Sequence, residues 1–408
     1  LACHILGFVG IDHKGLEGVE ANFNKFLSGK DGFKWVLKDG RIRHRTIHSA
    51  KAPNIKPVNG ADIYLTIDAV IQEIVEEELN KVMQKFKAVG AACVLLDVKT
   101  GQVLGLSSRP NYDPNHFGQF PKGNWRNRVI TDAYELGSVM KPLVIGAALS
   151  DKIVDLTTKI FCNNGACRII PGRTLHDTHG YGKISVEEII VKSSNIGSAK
   201  IGMKLGKKRL YDYLRALNFG DRTGIELRGE VIGILKPLAK WDNFTLTSVP
   251  MGHEITATPL QMACAYVSLF GEGIYHPPTI IKKFVYPDGK VLHKYPPFQF
   301  KRIYSWQIVK KMRSVLREVV KRGTARRANI KEIKIAGKTG TAQKIVAGKY
   351  SHRKHISVFV GAAPYDNPSL CSIVMVDEPK GSSYGGTVCA PAVANILKKS
   401  LFYQKFRK

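Results

Sequence analysis

The chain has 408 residues, 44% of them hydrophobic, so it is long enough to bury a large core. It carries 62 Lys and Arg against 33 Asp and Glu, which gives a formal net charge of +29. These cations are dispersed and no nucleic-acid recognition motif accompanies them, which argues against a nucleic-acid binding protein. The charge instead favours long-range attraction to anionic lipid head groups or anionic polymers, or it is simply a solvated surface.

Two prolines mark a division of the chain. Residues 50–60, which include Pro53 and Pro57, are predicted to be a linker. Residues 1–59 are therefore assigned to a small N-terminal module with its linker. Residues 60–408 are assigned to one large α/β domain.

Hydrophobic periodicity predicts both helices and strands in the large domain. Apolar residues recur at helical spacing over 70–86 around a Glu-rich face, which predicts a surface helix. Apolar runs at 92–96 and 103–106 flank a Lys-Thr-Gly turn and predict a hairpin. We expect two later strands and a closing helix, at 356–363, 370–376 and 390–401. The predicted fold is of the α+β type, with an antiparallel sheet packed between helices.

Ser138 and Lys141 form an S-x-x-K pair at the start of an apolar segment, 139–149, which predicts a buried helix. Residues three apart on a helix lie on one face. A serine hydroxyl needs a base to act as a nucleophile at neutral pH, and a lysine can supply one when burial or another cation lowers its pKa. Ser138 is therefore the predicted nucleophile and Lys141 its base.

Ser193-Ser-Asn195 is the second motif, in a segment with helical spacing of apolar residues over 189–199. The Ser193 hydroxyl is expected to relay a proton between the base and a leaving amine. The Asn195 amide, which both donates and accepts, is expected to hold a substrate amide.

Lys338-Thr-Gly-Thr341 is the third motif, and the alternation at 333–335 predicts that it lies on a strand. Lys338 adds a positive charge, and the hydroxyls of Thr339 and Thr341 can bind a carboxylate. Gly340 leaves room for an extended peptide along the strand edge. The backbone N–H groups of Ser138 and Thr341 are the predicted oxyanion hole.

A match to any one of these short motifs is expected almost by chance, and the chain indeed contains a second copy of two of them. Lys99-Thr-Gly101 repeats K-T-G, but it fits a hairpin turn with Gly in a positive-φ conformation. Ser351-His-Arg-Lys354 repeats S-x-x-K, but no apolar helix follows it. Both copies are predicted to be non-catalytic. Only the motifs at 138, 193 and 338 follow one another in the order S-x-x-K, S-x-N, K-T-G with long separations between them.

The ordered set resembles the class B penicillin-binding proteins, which are monofunctional peptidoglycan transpeptidases. The resemblance covers nearly the whole chain. Leu136 stands where the family usually has Pro, a difference that could reshape the turn but leaves the reacting groups intact. Further family landmarks are Leu65-Thr-Ile-Asp68 with Gln72, Arg126-Asn-Arg128, Tyr134-Glu-Leu-Gly-Ser138, Thr258-Pro-Leu-Gln261, Gly323-Thr-Ala325, Gly361-Ala-Ala-Pro364 and Tyr384-Gly-Gly386.

The resemblance implies a penicillin-binding, serine β-lactamase-like fold. It implies a D,D-transpeptidase that crosslinks stem peptides through a serine acyl-enzyme, is acylated by β-lactams and needs no metal or cofactor. Gly7-Phe-Val-Gly-Ile-Asp12 and Gly15-Leu-Glu-Gly-Val-Glu20 resemble the end of the family's non-catalytic pedestal module. They favour the division-type, septal branch, although a lateral-wall role stays open.

Family members carry one N-terminal anchor in the bacterial inner membrane, with the catalytic domain on the periplasmic side. This chain begins at Leu1 and has no stretch of about 20 apolar residues, so we interpret it as a fragment without the anchor. The resemblance also implies a glycan-strand polymerase and division proteins as partners.

Two other functions share some of these features. A serine β-lactamase or β-lactam sensor has the same motifs, but neither the length nor the pedestal-like start suits it. A catalytically idle scaffold of the division machinery would keep the fold, but the presence of every motif residue argues against it.

Cysteine and histidine clusters give weaker signals. Cys162 and Cys167 flank a predicted turn, so a local disulfide is left open for an oxidising compartment. His176-Asp-Thr-His179 resembles a metal site but lacks a third and fourth ligand at a characteristic spacing, so a polar loop beside the cleft is predicted. Three other cysteines lie in apolar runs and are predicted core residues: Cys93, Cys264 and Cys371.

Overall fold

The computed structural model describes residues 1–35, 37–38, 46–47, 54–293, 301–346 and 348–407. The N-terminal module contains short elements, and the part of the predicted linker at 50–53 lies outside the described residues. The elements of this module are α1 (Cys3–Leu6), α2 (Gly18–Asn22), α3 (Asn24–Leu27), β1 (Phe33–Lys34), β2 (Leu37–Lys38), β3 (Thr46–Ile47) and β4 (Asn54–Ile55).

Residues 60–216 contain groups of strands and groups of helices in succession. Their elements are β5 (Asp62–Leu65), α4 (Ala69–Phe86), β6 (Gly90–Asp97), β7 (Val103–Arg109), α5 (Arg128–Thr131), α6 (Lys141–Ser150), β8 (Lys159–Phe161), β9 (Ala166–Ile170), β10 (Arg173–His176), β11 (Lys183–Ser185), α7 (Val186–Lys192), α8 (Asn195–Leu205) and α9 (Lys207–Ala216).

The second half contributes the long strands and the closing helix. Its elements are β12 (Ile234–Leu235), α10 (Asn243–Ser248), β13 (Ile255–Thr256), α11 (Pro259–Phe270), β14 (Ile274–Tyr275), β15 (Ile281–Val285), β16 (Val291–His293), β17 (Lys301–Arg302), α12 (Trp306–Arg322), β18 (Ala336–Val346), β19 (Lys349–Ala363), β20 (Leu370–Asp377), α13 (Gly385–Val388) and α14 (Ala390–Arg407).

The central sheet has the strand order β18-β19-β20-β6-β7, and every neighbouring pair is antiparallel. All residues of β20 are buried, so both faces of the sheet are covered. Helices α4 and α14 pack on each other and on the sheet, while α11 and α12 form a second packed pair. The predicted antiparallel sheet between helices is confirmed.

Helix α4 forms because its sequence has both a cap and an apolar stripe. The Asp68 side chain accepts hydrogen bonds from the N–H groups of Val70 (3.0 Å) and Ile71 (3.2 Å), which satisfies two groups at the helix start. Its buried apolar residues recur at helical spacing: Ile71, Val75, Leu79 and Val82. The helix predicted over 70–86 is therefore confirmed.

The first residues of the chain pack against residues after 60 through polar and aromatic contacts. The Ala2 N–H donates to Glu76 Oε1 (2.7 Å), and the Tyr112 hydroxyl donates to the Cys3 carbonyl (2.8 Å). Within the described part of the predicted linker, Asn54 and Ile55 form β4, which pairs with β1. None of the helices in the described part of the chain combines enough length with enough hydrophobicity to span a lipid bilayer.

Most predicted elements are confirmed, with shifted ends. Strands β19 and β20 contain the predicted ones, whereas the closing helix continues to Arg407. Strand β18 begins at Ala336 rather than within 333–335. The segment 189–199 is not one helix, because α7 ends at Lys192 and α8 begins at Asn195.

The disulfide left open by the sequence is not formed. Every cysteine lies in the described residues and is a free, buried thiol. The Cys162 thiol contacts the Ser194 hydroxyl (3.5 Å), whereas Cys167 lies on β9 opposite Leu175. Cys93, Cys264 and Cys371 are core residues, as predicted.

Gly101, in the second K-T-G copy, lies in the turn between β6 and β7 with φ of 72°. A Cβ there would lie 2.8 Å from His276 Cβ, so we expect Gly101→Ala to lower the free energy of unfolding by about 1–3 kcal/mol. Gly118→Ala is the matched control, because a Cβ there has no neighbour within 4 Å. Urea unfolding measures both, and an equal effect of the two substitutions would contradict the assignment of a strained turn.

Candidate active site

Ser138 lies on a 3-10 turn, Gly137–Met140, that leads directly into α6. Gly137 has φ of 60°, and a Cβ on it would lie 2.7 Å from the Thr341 carbonyl oxygen, so glycine is needed for the close approach to β18. Ser138 is half-buried. Its hydroxyl makes no hydrogen bond with the residues that the structure describes, which leaves it available to a ligand.

Leu136 occupies its turn without backbone strain. It is buried, with φ of −94°, and its carbonyl oxygen approaches the strand at Gly340, where a Cβ would lie 2.3 Å from that oxygen. The nucleophile turn and the K-T-G strand are therefore in direct contact.

Lys141, three residues after Ser138, is fully buried. Its Nζ donates to the Ser193 carbonyl (2.6 Å) and to Asn195 Oδ1 (2.7 Å), and it lies 3.3 Å from Ser193 Oγ. Burial lowers the pKa of Lys141 to about 7, and the negative charge of Asp177 opposes this shift only in part. A substantial fraction of the side chain is therefore a neutral amine at neutral pH, as a base requires.

The second motif lies at the break between α7 and α8. Ser193 has φ of 62°, a left-handed conformation that is strained for a residue with a side chain. Ser194 caps α8 by accepting a hydrogen bond from the Gly197 N–H (2.9 Å). The break directs both the Ser193 carbonyl and the Asn195 amide oxygen at Lys141.

Asp177 anchors this break, and sequence reasoning missed it. Its carboxylate accepts hydrogen bonds from the Ser194 hydroxyl (2.6 Å) and from the N–H groups of Asn195 and Ile196. The Asn195 side-chain amide also donates to the His176 carbonyl (2.9 Å). The His-Asp-Thr-His cluster was the available signal, and it serves as the predicted polar loop. Within the described residues, no group of His, Cys, Asp and Glu side chains could hold a metal ion.

Lys338 is the second fully buried lysine of the site. Its Nζ donates to Ser193 Oγ (2.9 Å) and to the Thr339 carbonyl (3.0 Å). Burial, and then the positive charge of Lys141, hold the pKa of Lys338 well below its ordinary value. The Ser193 hydroxyl thus lies between two lysine amines, which suits it to pass a proton.

Strand β18 is an edge strand in the described part of the sheet, with β19 on one side only. Successive side chains of a strand point to opposite faces, so Lys338 and Gly340 lie on one face of β18, and Thr339 and Thr341 lie on the other. Thr339 Oγ1 shares a hydrogen bond with Thr324 Oγ1 (2.6 Å), and Thr341 Oγ1 accepts one from the Gly385 N–H (3.3 Å). The open edge can pair with an extended peptide.

The two duplicate motifs do not reach this site. Lys99 is exposed in the turn between β6 and β7. Ser351 lies on β19, and its hydroxyl accepts hydrogen bonds from the N–H groups of Arg353 (3.3 Å) and Lys354 (3.1 Å). Of the predicted site residues, Lys141, Ser193, Asn195 and Lys338 are joined by hydrogen bonds, and the nucleophile turn contacts the K-T-G strand.

Residues 91–398 match the family model described as the penicillin binding protein transpeptidase domain. The chain belongs to this family. It is 36% identical over 402 residues to stage V sporulation protein D of Bacillus subtilis, covering 98% of this chain and 62% of that protein. It is 35% identical to the probable peptidoglycan D,D-transpeptidase PenA of Neisseria meningitidis, covering 98% of this chain and 67% of that protein.

The fold of this family member is also that of solved penicillin-binding proteins. A crystal structure of penicillin-binding protein 3 from Mycobacterium tuberculosis, complexed with aztreonam, aligns with a TM-score of 0.89 at 30% identity. The alignment covers 99% of this chain and 89% of that one. The chain spans about two thirds of the length of these curated relatives, 62% of the sporulation protein and 67% of PenA.

Asp177→Ala removes the acceptor for three groups at the α8 start. We expect it to lower the free energy of unfolding by about 1–3 kcal/mol and to slow acylation of Ser138 by penicillin, because Asn195 loses its anchor. Asp212→Ala, which breaks only an exposed pair with Lys208, should change stability by less than about 0.5 kcal/mol. Urea unfolding and acylation kinetics measure both variants, and equal effects would refute the anchoring role of Asp177.

Proposed function

We propose that this chain is the catalytic part of a peptidoglycan D,D-transpeptidase that acts in septal wall synthesis. The observation that carries the proposal is the buried Lys141, which hydrogen-bonds to the second motif while lying three residues after Ser138. The names of the relatives support the reaction, since PenA is named a probable peptidoglycan D,D-transpeptidase and FtsI of Escherichia coli, 32% identical over 406 residues, a peptidoglycan D,D-transpeptidase. The FtsI relatives also support the division-type branch.

In the first acyl transfer, neutral Lys141 takes the proton from the Ser138 hydroxyl. The Ser138 oxygen attacks the carbonyl of the penultimate D-Ala of a stem peptide laid along the β18 edge. The N–H groups of Ser138 and Thr341 stabilise the oxyanion. The proton passes through Ser193 to the leaving amine, so D-Ala departs and an ester to Ser138 remains.

The other site residues hold the substrate. Asn195 binds the peptide amide, and the hydroxyls of Thr339 and Thr341 bind the substrate carboxylate. Lys338 orients the Ser193 hydroxyl, to which its amine donates, and Gly340 lets the strand lie against the Leu136 carbonyl of the nucleophile turn. In the second transfer, an amine of a neighbouring stem peptide attacks the ester, and the Ser138 oxygen recovers its proton. A β-lactam enters the first step, but its amine leaving group stays tethered and blocks the second.

The setting of the enzyme follows from the family resemblance. We propose that residues 1–59 are the end of a pedestal module and residues 60–408 the transpeptidase domain. In the full-length protein, a single anchor would hold this domain on the periplasmic side of the inner membrane. A glycan-strand polymerase and division proteins are the proposed partners, because crosslinking requires freshly made glycan strands.

Intact-protein mass after brief exposure to benzylpenicillin tests the function. The unmodified chain should gain one penicillin mass that persists for hours, and Ser138→Ala should abolish it, because Ser138 is the nucleophile. Ser351→Ala is the matched control, since it alters the duplicate S-x-x-K motif, and it should form the adduct normally.

Other outcomes would favour other functions. An adduct that clears within seconds would indicate a serine β-lactamase. No adduct in the unmodified chain would indicate a catalytically idle scaffold, and loss of the adduct in Ser351→Ala would contradict the assigned nucleophile.

A further inference from the structure

A groove of about 570 Å³ lies along the C-terminal half of α8, away from the first turn of that helix. Strands β8 and β9 form its other walls. The active-site residue Asn195 begins α8, whereas the groove is lined from that helix by Lys200, Met203 and Lys204. The groove is therefore separate from the cleft at Ser138.

The groove has a strongly basic lining. Lys159, Arg168, Lys200 and Lys204 line it, and none of the lining residues is acidic. Across the described residues, these four cations form no ion pair, whereas Lys192 on the neighbouring helix α7 pairs with Glu188 (3.2 Å). Four cations on one concave surface repel each other, so an anion placed among them would be stabilised.

One of the four cations is already committed to the fold. Lys200 Nζ donates to the Phe161 carbonyl (2.7 Å) and to Asn163 Oδ1 (2.6 Å), so it holds the loop after β8 in position. The other three, Lys159, Arg168 and Lys204, are exposed. They can turn toward a ligand without breaking a contact.

The same groove carries apolar surface between its charges. Phe161 is 49% exposed and Met203 is 37% exposed. Ile160 and Ile169 lie beside them. Single exposed apolar residues are common on proteins, but here two of them line the same shallow groove as four cations. This combination suits a ligand with an anionic head and an apolar arm.

We propose that this basic groove binds a single anionic amphiphile of the phospholipid type. The head phosphate lies among Lys159, Arg168 and Lys204, and the apolar arm lies along Phe161 and Met203. The groove is shallow and open to solvent, and its volume of about 570 Å³ is in the range of small-molecule sites. The proposal does not depend on the acyl-transfer function.

Isothermal titration of the whole chain with dihexanoylphosphatidic acid, a soluble short-chain lipid, tests the proposal. We expect saturable binding of one lipid per chain that weakens as salt is added. Dihexanoylphosphatidylcholine, which has no net charge, and inorganic phosphate, which has no apolar arm, should each bind at least about tenfold more weakly. Equal binding of either compound, or no saturation, would overturn the proposal.

Two charge-matched double variants locate the binding. R168E/K204E reverses two cations of the groove and should weaken binding at least about tenfold. K99E/K290E makes the same change of net charge at two exposed turns and should alter binding less than about twofold. Equal weakening in both would mean general attraction to a basic protein and would overturn the site.

Thermal unfolding and penicillin acylation of R168E/K204E should match those of the unmodified chain. This control excludes loss of fold as the cause of weaker binding. A short acidic peptide serves as a competitor of the lipid. If the peptide binds with the same dependence on Arg168 and Lys204, and the chain does not prefer the anionic lipid over the neutral one, the groove is a site for a protein partner and the proposal is overturned.

Discussion

The active site depends on keeping Lys141 buried while it still has hydrogen-bond acceptors. Removing the ammonium from water lowers its pKa to about 7, because burial disfavours the charged form. A buried amine without acceptors would be costly, and the Ser193 carbonyl and Asn195 Oδ1 supply them. The burial that lowers the pKa of Lys141, and on which its proposed role as base rests, therefore also requires the strained break between α7 and α8.

Three distant parts of the chain meet around this amine, and the rest of the fold holds them there. Helix α6 carries Lys141 in its first turn, the Asp177 loop fixes the start of α8, and β18 brings in Lys338. Strand β18 can do this because it pairs with β19, which pairs in turn with β20 in one antiparallel sheet backed by packed helices. Ser193 Oγ is the point where the two lysines meet.

The sequence predicted the parts of the site that are encoded locally. The motifs singled out Ser138, Lys141, Ser193, Asn195 and the K-T-G strand as candidates, and the structure joins Lys141, Ser193, Asn195 and Lys338 by hydrogen bonds. Periodicity predicted α4, β19 and β20, which the structure contains. The sequence could not predict the helix break at Ser193, because the apolar spacing continues through it and a tertiary contact with Asp177 decides the geometry. The hydrogen bond between Asp177 and Ser194 leaves no pattern in a single sequence. The turn at 162–167 is equally compatible with two free thiols and with a disulfide, so the sequence did not decide between them.

The pH dependence of the second-order rate constant for acylation by benzylpenicillin tests the central claim most directly. The carboxylate of benzylpenicillin stays ionised between pH 5.5 and about 9, so the profile reports the free enzyme. Protonated Lys141 cannot accept the Ser138 proton, so the rate should fall about tenfold per pH unit below a midpoint near 7 and level off above it. A rate that is constant across this range, or one that rises only toward the ordinary lysine pKa of about 10.4, would contradict a buried, neutral Lys141 as the base.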